Sequence, residues 1–464
     1  MDPELLEMLG LTGEEARRES PRMEKAFKIL RIEAEDISRG KERIRRYYDL
    51  ELLGVRKALG VWVLELVDMV LAKEEGKKVV YASFPPMMQL VGAMALAGED
   101  IYYQVPEIVL CIILNCLFTK INPVLEVAEK QGMGPGLAYC SFLKARFGAI
   151  SMGLIARPDL LVPSGLMCDK ASKTDEFLHE LQGTPVAYVD NIFDGKGEQW
   201  ADVVSPRLVN YLASAMKDAA QKFVEVLGYP ITEDKVHEAA QEAAKLARAL
   251  SGVQELMLAD PMPLSVRDYS IIQRIAFIRT RRAMKDGAAA LNILKEELQE
   301  RVRKGQGVLK KGAPRLVASV LPFNPEITGM FEELGLAIPI PILVGLQRKK
   351  SEGSFSSIWE EMADFSARMR GAYYSSLAYN LQAKELVREV KADGFLVFRH
   401  IGCRQEHIWS PKTKDMIEKE LGVPVMLLDG DYCDFRDYNM PQMRSRAETF
   451  AEIVMAAKKA KGNA

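Results

Sequence analysis

The chain has 464 residues, 48% of them apolar and 27% charged, which is typical of folded soluble domains. Its 62 basic and 64 acidic side chains nearly cancel, which argues against a dedicated nucleic-acid binder, because such proteins carry a basic excess. Six cysteines are too few for a disulfide scaffold, and Met1–Gly10 lacks the basic flank and apolar run of a signal peptide. We therefore expect a cytoplasmic protein with reduced thiols.

The first part of the chain predicts helices, because Pro21–Arg46 and Tyr47–Leu71 carry apolar residues at helical spacing. A buried strand is predicted at Val79–Tyr81, and two prolines after Phe84 end it because proline cannot donate to a sheet. The most apolar segment, Val105–Phe118, is too short to span a bilayer and predicts a buried helix. We expect no membrane association.

Strands and helices alternate on both sides of a helical middle. Further strands are predicted at Leu160–Val162, Val186–Val189, Leu316–Leu321, Ala337–Val344, Gly394–Phe398 and Val425–Leu428. Between residues 205 and 304 the pattern is helical: Ser205 and Thr232 are N-cap signals, the second helix is expected to stop at Gly252, and a long basic helix should run from Ser265 to Lys304. In the last third, helices are predicted to begin near Pro325, Ser356 and Ser410.

This alternation predicts an α/β protein with parallel sheets covered on both faces. We predict four parts: a helical N-terminal extension over residues 1–75, a first α/β lobe over 76–204, a helical segment over 205–310 and a second α/β lobe over 311–464. The glycines between 304 and 312 indicate the linker that precedes the second lobe.

The two lobes resemble one another in sequence. Asp159 precedes a strand and lies nine residues before Cys168, whereas Asp393 precedes a strand and lies ten residues before Cys403. Both units continue into a strand that starts after a proline and ends at an aspartate five residues later, Asp190 or Asp429 in turn. Any two βα units can look alike. In both, however, a cysteine follows the carboxyl end of a strand, the edge where ligands bind in open α/β sheets.

Three cysteines have the placement of candidate ligands. Cys168 and Cys403 follow strand ends, and Cys140 lies at a junction between a loop and a helix. Three thiolates converging at a sheet edge would bind a metal or an iron–sulfur cluster. No CxxC pair is present, so spacing alone leaves open that the three are unrelated core cysteines.

The remaining cysteines and the histidines have blander interpretations. Cys111 and Cys116 lie in an apolar segment and are expected to act as small core hydrophobes. Cys433 lies in an acidic loop and is undecided, with ligation disfavoured. His400 and His407 flank the Cys403 loop and would face the same pocket or simply belong to a polar loop. The sequence contains no nucleophile-elbow, P-loop or HExxH motif, and no catalytic side chain is assigned.

Four segments, Tyr139–Ser141, Met167–Asp169, Ala392–Arg404 and Leu428–Arg436, resemble those of the 2-hydroxyacyl-CoA dehydratase and benzoyl-CoA reductase subunits, of the 2-hydroxyglutaryl-CoA dehydratase D-component type. The resemblance implies two flavodoxin-like (Rossmann-like) lobes and a [4Fe–4S] cluster. By position, its ligands would be Cys140, Cys168 and Cys403. It also implies a paralogous or identical partner subunit, an ATP-dependent iron–sulfur activator that supplies a low-potential electron, and an acyl-CoA substrate transformed through a ketyl radical.

The chain departs from that family at Phe84–Gln89, where many dehydratase subunits carry a carboxylate and this sequence has none. Two alternatives therefore stay open. One is a reductase of small molecules with a double-cubane cluster. The other is an electron-relay or scaffold subunit without a substrate site of its own.

Overall fold

The computed structural model describes residues 1–84, 86–134, 139–165, 168–190, 204–341, 354–374, 376–436 and 438–462. Four helices precede the first strand: α1 (Pro3–Met8), α2 (Gly13–Ile29), α3 (Ala34–Tyr47) and α4 (Leu53–Leu71). Helix α4 is apolar around its whole circumference and is buried along nearly all of its length, which makes it a core helix. The predicted helical stretch at Pro21–Arg46 is two helices, because the chain turns at Arg31, whose φ is +56°.

The first sheet, here called the N-terminal sheet, is parallel. It contains β1 (Lys78–Ala82), β2 (Ile101–Gln104) and β3 (Leu160–Val162) in the order β2-β1-β3. The predicted strand at Val186–Val189 joins its edge only through isolated parallel bridges, from Leu161 to Val186 and from Ser164 to Val189. Strand β2 was missed by the sequence analysis, because four residues are too few for a clear alternation.

The second sheet, here called the C-terminal sheet, is also parallel. It contains β4 (Arg315–Ala318), β5 (Ala337–Pro341), β6 (Gly394–His400) and β7 (Val425–Gly430) in the order β5-β4-β6-β7. All four strands were predicted within a few residues of their bounds. The predicted continuation of β5 to Val344 lies outside the described residues.

The sequence similarity between the two halves corresponds to shared hydrogen bonds. The Asp159 carboxylate accepts from the N–H of Val79 at 2.7 Å, and the Asp393 carboxylate accepts from the N–H of Arg315 at 2.9 Å. Further along each strand, Leu161 donates to the carbonyl of Pro185 and Phe395 donates to that of Pro424, both at 2.9 Å. Each aspartate therefore fastens a strand to the first strand of its own sheet.

Helices surround the sheets and form the middle of the chain. Before residue 204 they are α5 (Met88–Leu96), α6 (Pro106–Leu110), a π-helix (Cys111–Leu117), α7 (Asn122–Lys130), α8 (Ser141–Ser151) and α9 (Asp169–Gln182). In the middle they are α10 (Pro206–Leu227), α11 (Glu233–Met257), α12 (Val266–Arg274), a 3-10 turn (Ile275–Phe277), a second π-helix (Ala283–Gly287) and α13 (Ala288–Arg303). In the last third they are α14 (Pro325–Glu333), α15 (Ile358–Tyr374), α16 (Ser376–Val390), α17 (Arg404–Leu421) and α18 (Met440–Gly462).

Several helix boundaries confirm the sequence signals. The hydroxyls of Ser205, Thr232 and Ser265 accept N-cap hydrogen bonds at the starts of α10, α11 and α12. The segment Val105–Phe118 is helical and buried, as predicted. Within the described residues, no helix combines the length and apolar character that crossing a bilayer requires.

Three helix predictions were wrong. Helix α11 continues past Gly252 to Met257; a Cβ at that glycine would come within 2.8 Å of the Lys295 side chain, so the glycine serves close packing rather than termination. The segment from Ser265 to Lys304 is not one helix, because it breaks after Phe277 and restarts where the Thr280 hydroxyl accepts from the N–H of Ala283. The helix expected near Ser410 begins at Arg404.

Candidate functional site

Three cysteines from separate parts of the sequence line one cavity between the two sheets. They are Cys140, Cys168 and Cys403, the three residues that the sequence analysis selected. Each is the N-cap residue of a helix, at the start of α8, α9 and α17 in turn. The N-terminus of a helix carries partial positive charge and unpaired N–H groups, which favour negative charge nearby. Three such ends therefore converge on the place where thiolates would collect.

Gly402 allows the Cys403 loop to approach Cys140 closely. A Cβ at this glycine would lie 2.9 Å from both Cα and Cβ of Cys140 and 3.1 Å from Nε2 of His400. Carbon atoms do not pack at such distances without moving. The loop after β6 can therefore lie against the start of α8 only because residue 402 has no side chain.

The electrostatics of the three thiols point to a cationic partner. Burial raises the pKa of Cys140 to about 12, and the neighbouring Cys168 raises it further. Burial also raises the pKa of Cys403 well above its ordinary value, with smaller contributions from Glu406 and the other two thiols. Thiolates are the ligand form of cysteine, so a bound cation must offset these costs for all three to ionise. The donor set and the open space beside Gly402 suit a group with several metal ions, each taking one thiolate.

Aromatic rings form the walls of the cavity, which encloses about 100 Å³. By the same measure one water needs about 10–15 Å³, so the cavity accommodates a small organic group. Phe142 packs edge-on against Phe84 at 5.9 Å and against Phe323 at 5.2 Å, and it stacks on Tyr432 at 5.6 Å between ring centroids. The remaining aromatic wall residue is Phe277, whose ring lies 5.3 Å from that of Phe84.

A hydrogen-bonded group from the C-terminal sheet forms the polar side of the cavity. The Tyr432 hydroxyl donates to Oε1 of Glu406 at 2.7 Å, and the N–H of His400 donates to Oε2 of the same carboxyl at 2.7 Å. Burial raises the pKa of Glu406 to about 7. The His400 ring stacks on Tyr432 at 4.6 Å, and burial lowers its pKa. The imidazole is therefore neutral at pH 7.

Two cationic side chains line the same cavity. Nζ of Lys170 donates to the carbonyl of Gly402 at 2.8 Å, which fixes the Cys403 loop to the start of α9. Arg274, at the end of α12, lies over the ring of Phe323 with its guanidinium carbon 4.2 Å from the ring centroid. The site thus combines three thiols, an aromatic enclosure and two positive charges.

Comparison with known proteins identifies the family. The model of the family described as 2-hydroxyglutaryl-CoA dehydratase, D-component, matches residues 107–454, well over half of the chain and inclusive of all three cysteines. The chain belongs to this family. The resemblance inferred from the cysteine-containing segments is therefore confirmed.

The relatives of this D-component family member include both dehydratases and a reductase. The alpha subunit of (R)-2-hydroxyglutaryl-CoA dehydratase from Acidaminococcus fermentans is 24% identical over 66% of this chain, and the chain spans 62% of that relative's length. The (R)-phenyllactyl-CoA dehydratase alpha subunit of Clostridium sporogenes is 20% identical over 72% of this chain and 81% of its own length. A benzoyl-CoA reductase subunit of Thauera aromatica is 22% identical, with 82% and 90% covered.

The other three cysteines of this family member lie apart from the cavity thiols. Cys116 is fully buried, and its thiol contacts the carbonyl of Phe323 at 3.0 Å, in keeping with the core role predicted for it. Cys111 was expected to be an isolated core thiol and Cys433 was undecided. They are instead joined by a disulfide bond, with Cα atoms 5.6 Å apart. The expectation that every thiol is reduced is therefore wrong in this structure. Among the described residues, no group of three or more His, Cys, Asp or Glu side chains is arranged around a single metal ion.

Sequence reasoning missed several residues of the site. Arg274 and Phe277 lie in the predicted long basic helix, where nothing distinguished them from solvated or core-facing positions. Phe84 had a usable signal, because it follows β1 at the edge where α/β proteins bind ligands. His400 lines the cavity as one interpretation allowed, whereas His407 is not among the lining residues.

Proposed function

We propose that this chain is the cluster-bearing subunit of an acyl-CoA dehydratase or reductase and acts in the cytoplasm. Cys140, Cys168 and Cys403 would hold a [4Fe–4S] cluster with one iron free of protein thiolate. The observation that carries the proposal is the convergence of three helix N-caps, all cysteines, on one enclosed cavity. Membership of the D-component family supports it.

The parts of the site have separable roles in this proposal. The helix N-termini of α8, α9 and α17 offset the negative charge of the thiolates. When bound, the cluster would supply a Lewis-acidic iron and a low-potential electron for ketyl-radical chemistry on the thioester. The aromatic walls exclude water from the acyl group, which strengthens every electrostatic contact inside. The hydrogen bonds of Glu406 fix the positions of Tyr432 and of the His400 backbone against the cavity.

The proposal includes two partner proteins. The dehydratase relatives are named as alpha subunits and the reductase relative as one subunit of its enzyme, which supports a paralogous second subunit or a second copy of this chain. An ATP-dependent iron–sulfur activator would deliver the electron. The two parallel sheets would correspond to two flavodoxin-like lobes, one on each side of the cavity. A cavity directly beside the thiols favours a subunit with its own substrate site over an electron relay.

Iron analysis of the full chain tests the ligand set. Anaerobically purified protein should be brown and contain about four irons per chain. Cys140→Ala, Cys168→Ala and Cys403→Ala should each lose most of the iron and colour. Cys116→Ala is the matched control, since that thiol is buried but does not line the cavity. Full iron content in the three ligand variants would refute the assignment. Failure of the loaded protein to bind any acyl-CoA would favour the reductase of small molecules.

A further inference from the structure

Arg274 is a buried cation for which the described residues provide no carboxylate. Its exposed fraction is 3%, and no ion pair to an acidic side chain is formed by its guanidinium among those residues. Burial lowers the pKa of Arg274 to about 10, so the side chain stays charged at neutral pH. A buried charge without a counter-ion is costly, and other buried cations here avoid that cost. Arg146, for example, is fully buried but pairs with Asp175 at 2.5 Å.

The hydrogen bonds of Arg274 leave part of its guanidinium available. Nη1 donates to the carbonyl and hydroxyl of Ser270, and Nη2 donates to the carbonyl of Leu321. A guanidinium has five N–H groups, and these bonds use three. Within the described part of the chain, the Nε–H and one Nη2–H have no protein acceptor. These two atoms belong to the planar fork that binds carboxylates with two parallel hydrogen bonds.

The acidic group that lines the same cavity is already engaged elsewhere. Both oxygens of Glu406 accept hydrogen bonds, from Tyr432 and from the His400 backbone. The Arg274 guanidinium instead stacks on Phe323, a contact that holds its plane but does not neutralise its charge. The positive charge is therefore presented to whatever enters the aromatic enclosure.

We propose that Arg274 determines substrate specificity by pairing with a carboxylate at the far end of the acyl group, so that the substrate is a coenzyme A thioester of a dicarboxylic acid. This inference rests on the proposed acyl-CoA function and narrows it. The aromatic rings would enclose the methylene part of the acyl chain. Because they also exclude water, the ion pair would be stronger than one at the surface. An aromatic acyl group would fill the same enclosure but leave Arg274 without a counter-ion.

Binding of two matched thioesters to the full, anaerobically purified chain tests the inference. Glutaryl-CoA and pentanoyl-CoA have the same chain length and differ in the terminal carboxylate. By titration calorimetry we expect glutaryl-CoA to bind about 10- to 100-fold more tightly, as expected for charge-assisted hydrogen bonds. Arg274→Met should abolish this preference, and Arg274→Lys should keep part of it because the charge remains.

Arg267→Met is the matched control. Arg267 also lies over an aromatic ring, that of Tyr47, but it is paired with Glu333 and does not line the cavity. Its substitution should leave the preference unchanged. Equal binding of the two thioesters by the unmodified chain would overturn the role of Arg274 while leaving the acyl-CoA function intact. Binding of neither thioester would count against the proposed function itself. Because the unmodified chain decides the first outcome, the test does not depend on whether the Arg274 variants fold.

Discussion

In both sheets an aspartate fastens one strand to its neighbour, and the following loop leads to a cysteine that caps a helix. Beyond this shared construction the two regions bury different chemistry at the ends of their strands. Behind the N-terminal sheet lies an ionic group of Glu107, Arg146 and Asp175, all fully buried. Beside the C-terminal sheet lie the stacked rings of His400 and Tyr432, held by a single carboxyl.

This difference indicates a division of labour. Arg146 is on α8 and Asp175 is on α9, so their ion pair holds together the two helices that begin at Cys140 and Cys168. The N-terminal sheet thus supplies two ligands on helices joined by charge. The C-terminal sheet supplies the third ligand and the polar side of the cavity, where neutral hydrogen-bonded groups suit an organic substrate. Equivalent backbone geometry supports unequal roles.

The largest expected effect comes from removing the buried cation of the N-terminal region. Arg146→Met leaves Asp175 without its partner, and breaking a buried ion pair costs about 3–5 kcal/mol of unfolding free energy. The variant should also retain less iron, because α8 and α9 lose the contact that aligns Cys140 with Cys168. Chemical denaturation and iron analysis measure the two effects.

The double variant Arg146→Met with Asp175→Leu is the control for this prediction. It replaces the pair with apolar groups and should recover much of the lost stability, since the remaining charge no longer lacks a partner. A single variant that unfolds like the unmodified protein would contradict the role given to the ion pair.

Comparison of the two aspartates tests how similar the sheets are. Asp159→Ala and Asp393→Ala each remove the acceptor for a strand N–H, which costs about 1–3 kcal/mol when the donor stays buried. We expect the larger loss for Asp393, whose side chain is 12% exposed against 32% for Asp159. Denaturation of the two variants under one condition gives the ranking. A larger loss for Asp159 would show that burial of the clamp does not set its contribution.

The smallest expected effect is a pH dependence in the N-terminal half. Glu65 is fully buried on α4 and accepts from Nε2 of Gln104 at 2.7 Å, and burial raises its pKa to about 8. The folded chain therefore keeps a proton that the unfolded chain releases near pH 4.5. The unfolding free energy should fall by at most about 1.4 kcal/mol per pH unit from this group as pH rises toward 8.

Glu65→Gln removes the titrating proton and provides the comparison. The loss of stability between about pH 6 and about pH 8 should be smaller in this variant than in the unmodified chain. Denaturation curves at the two pH values measure the difference. An identical loss in both proteins would mean that Glu65 does not hold its proton in the folded state.

Much of the fold could be predicted from local patterns. Strands such as β6 and β7 are apolar runs bounded by Asp, Gly or Pro, and the N-caps Ser205, Thr232 and Ser265 mark real helix starts. Local signals failed where a distant contact decided the outcome. Gly252 is small because Lys295 packs against it, and the helix after Ser265 breaks near Phe277, whose ring forms part of the cavity wall.

The sequence by itself determined the α/β class, the parallel strand order implied by alternation, and the choice of Cys140, Cys168 and Cys403 as the candidate ligands. It could do so because these features depend on neighbours within a few residues and on the edge where strands end. Only the tertiary structure decided that the three helix N-termini converge, that Arg274 enters the cavity without a carboxylate, and that Cys111 meets Cys433. Those facts depend on contacts between residues up to 322 positions apart, which no local pattern encodes.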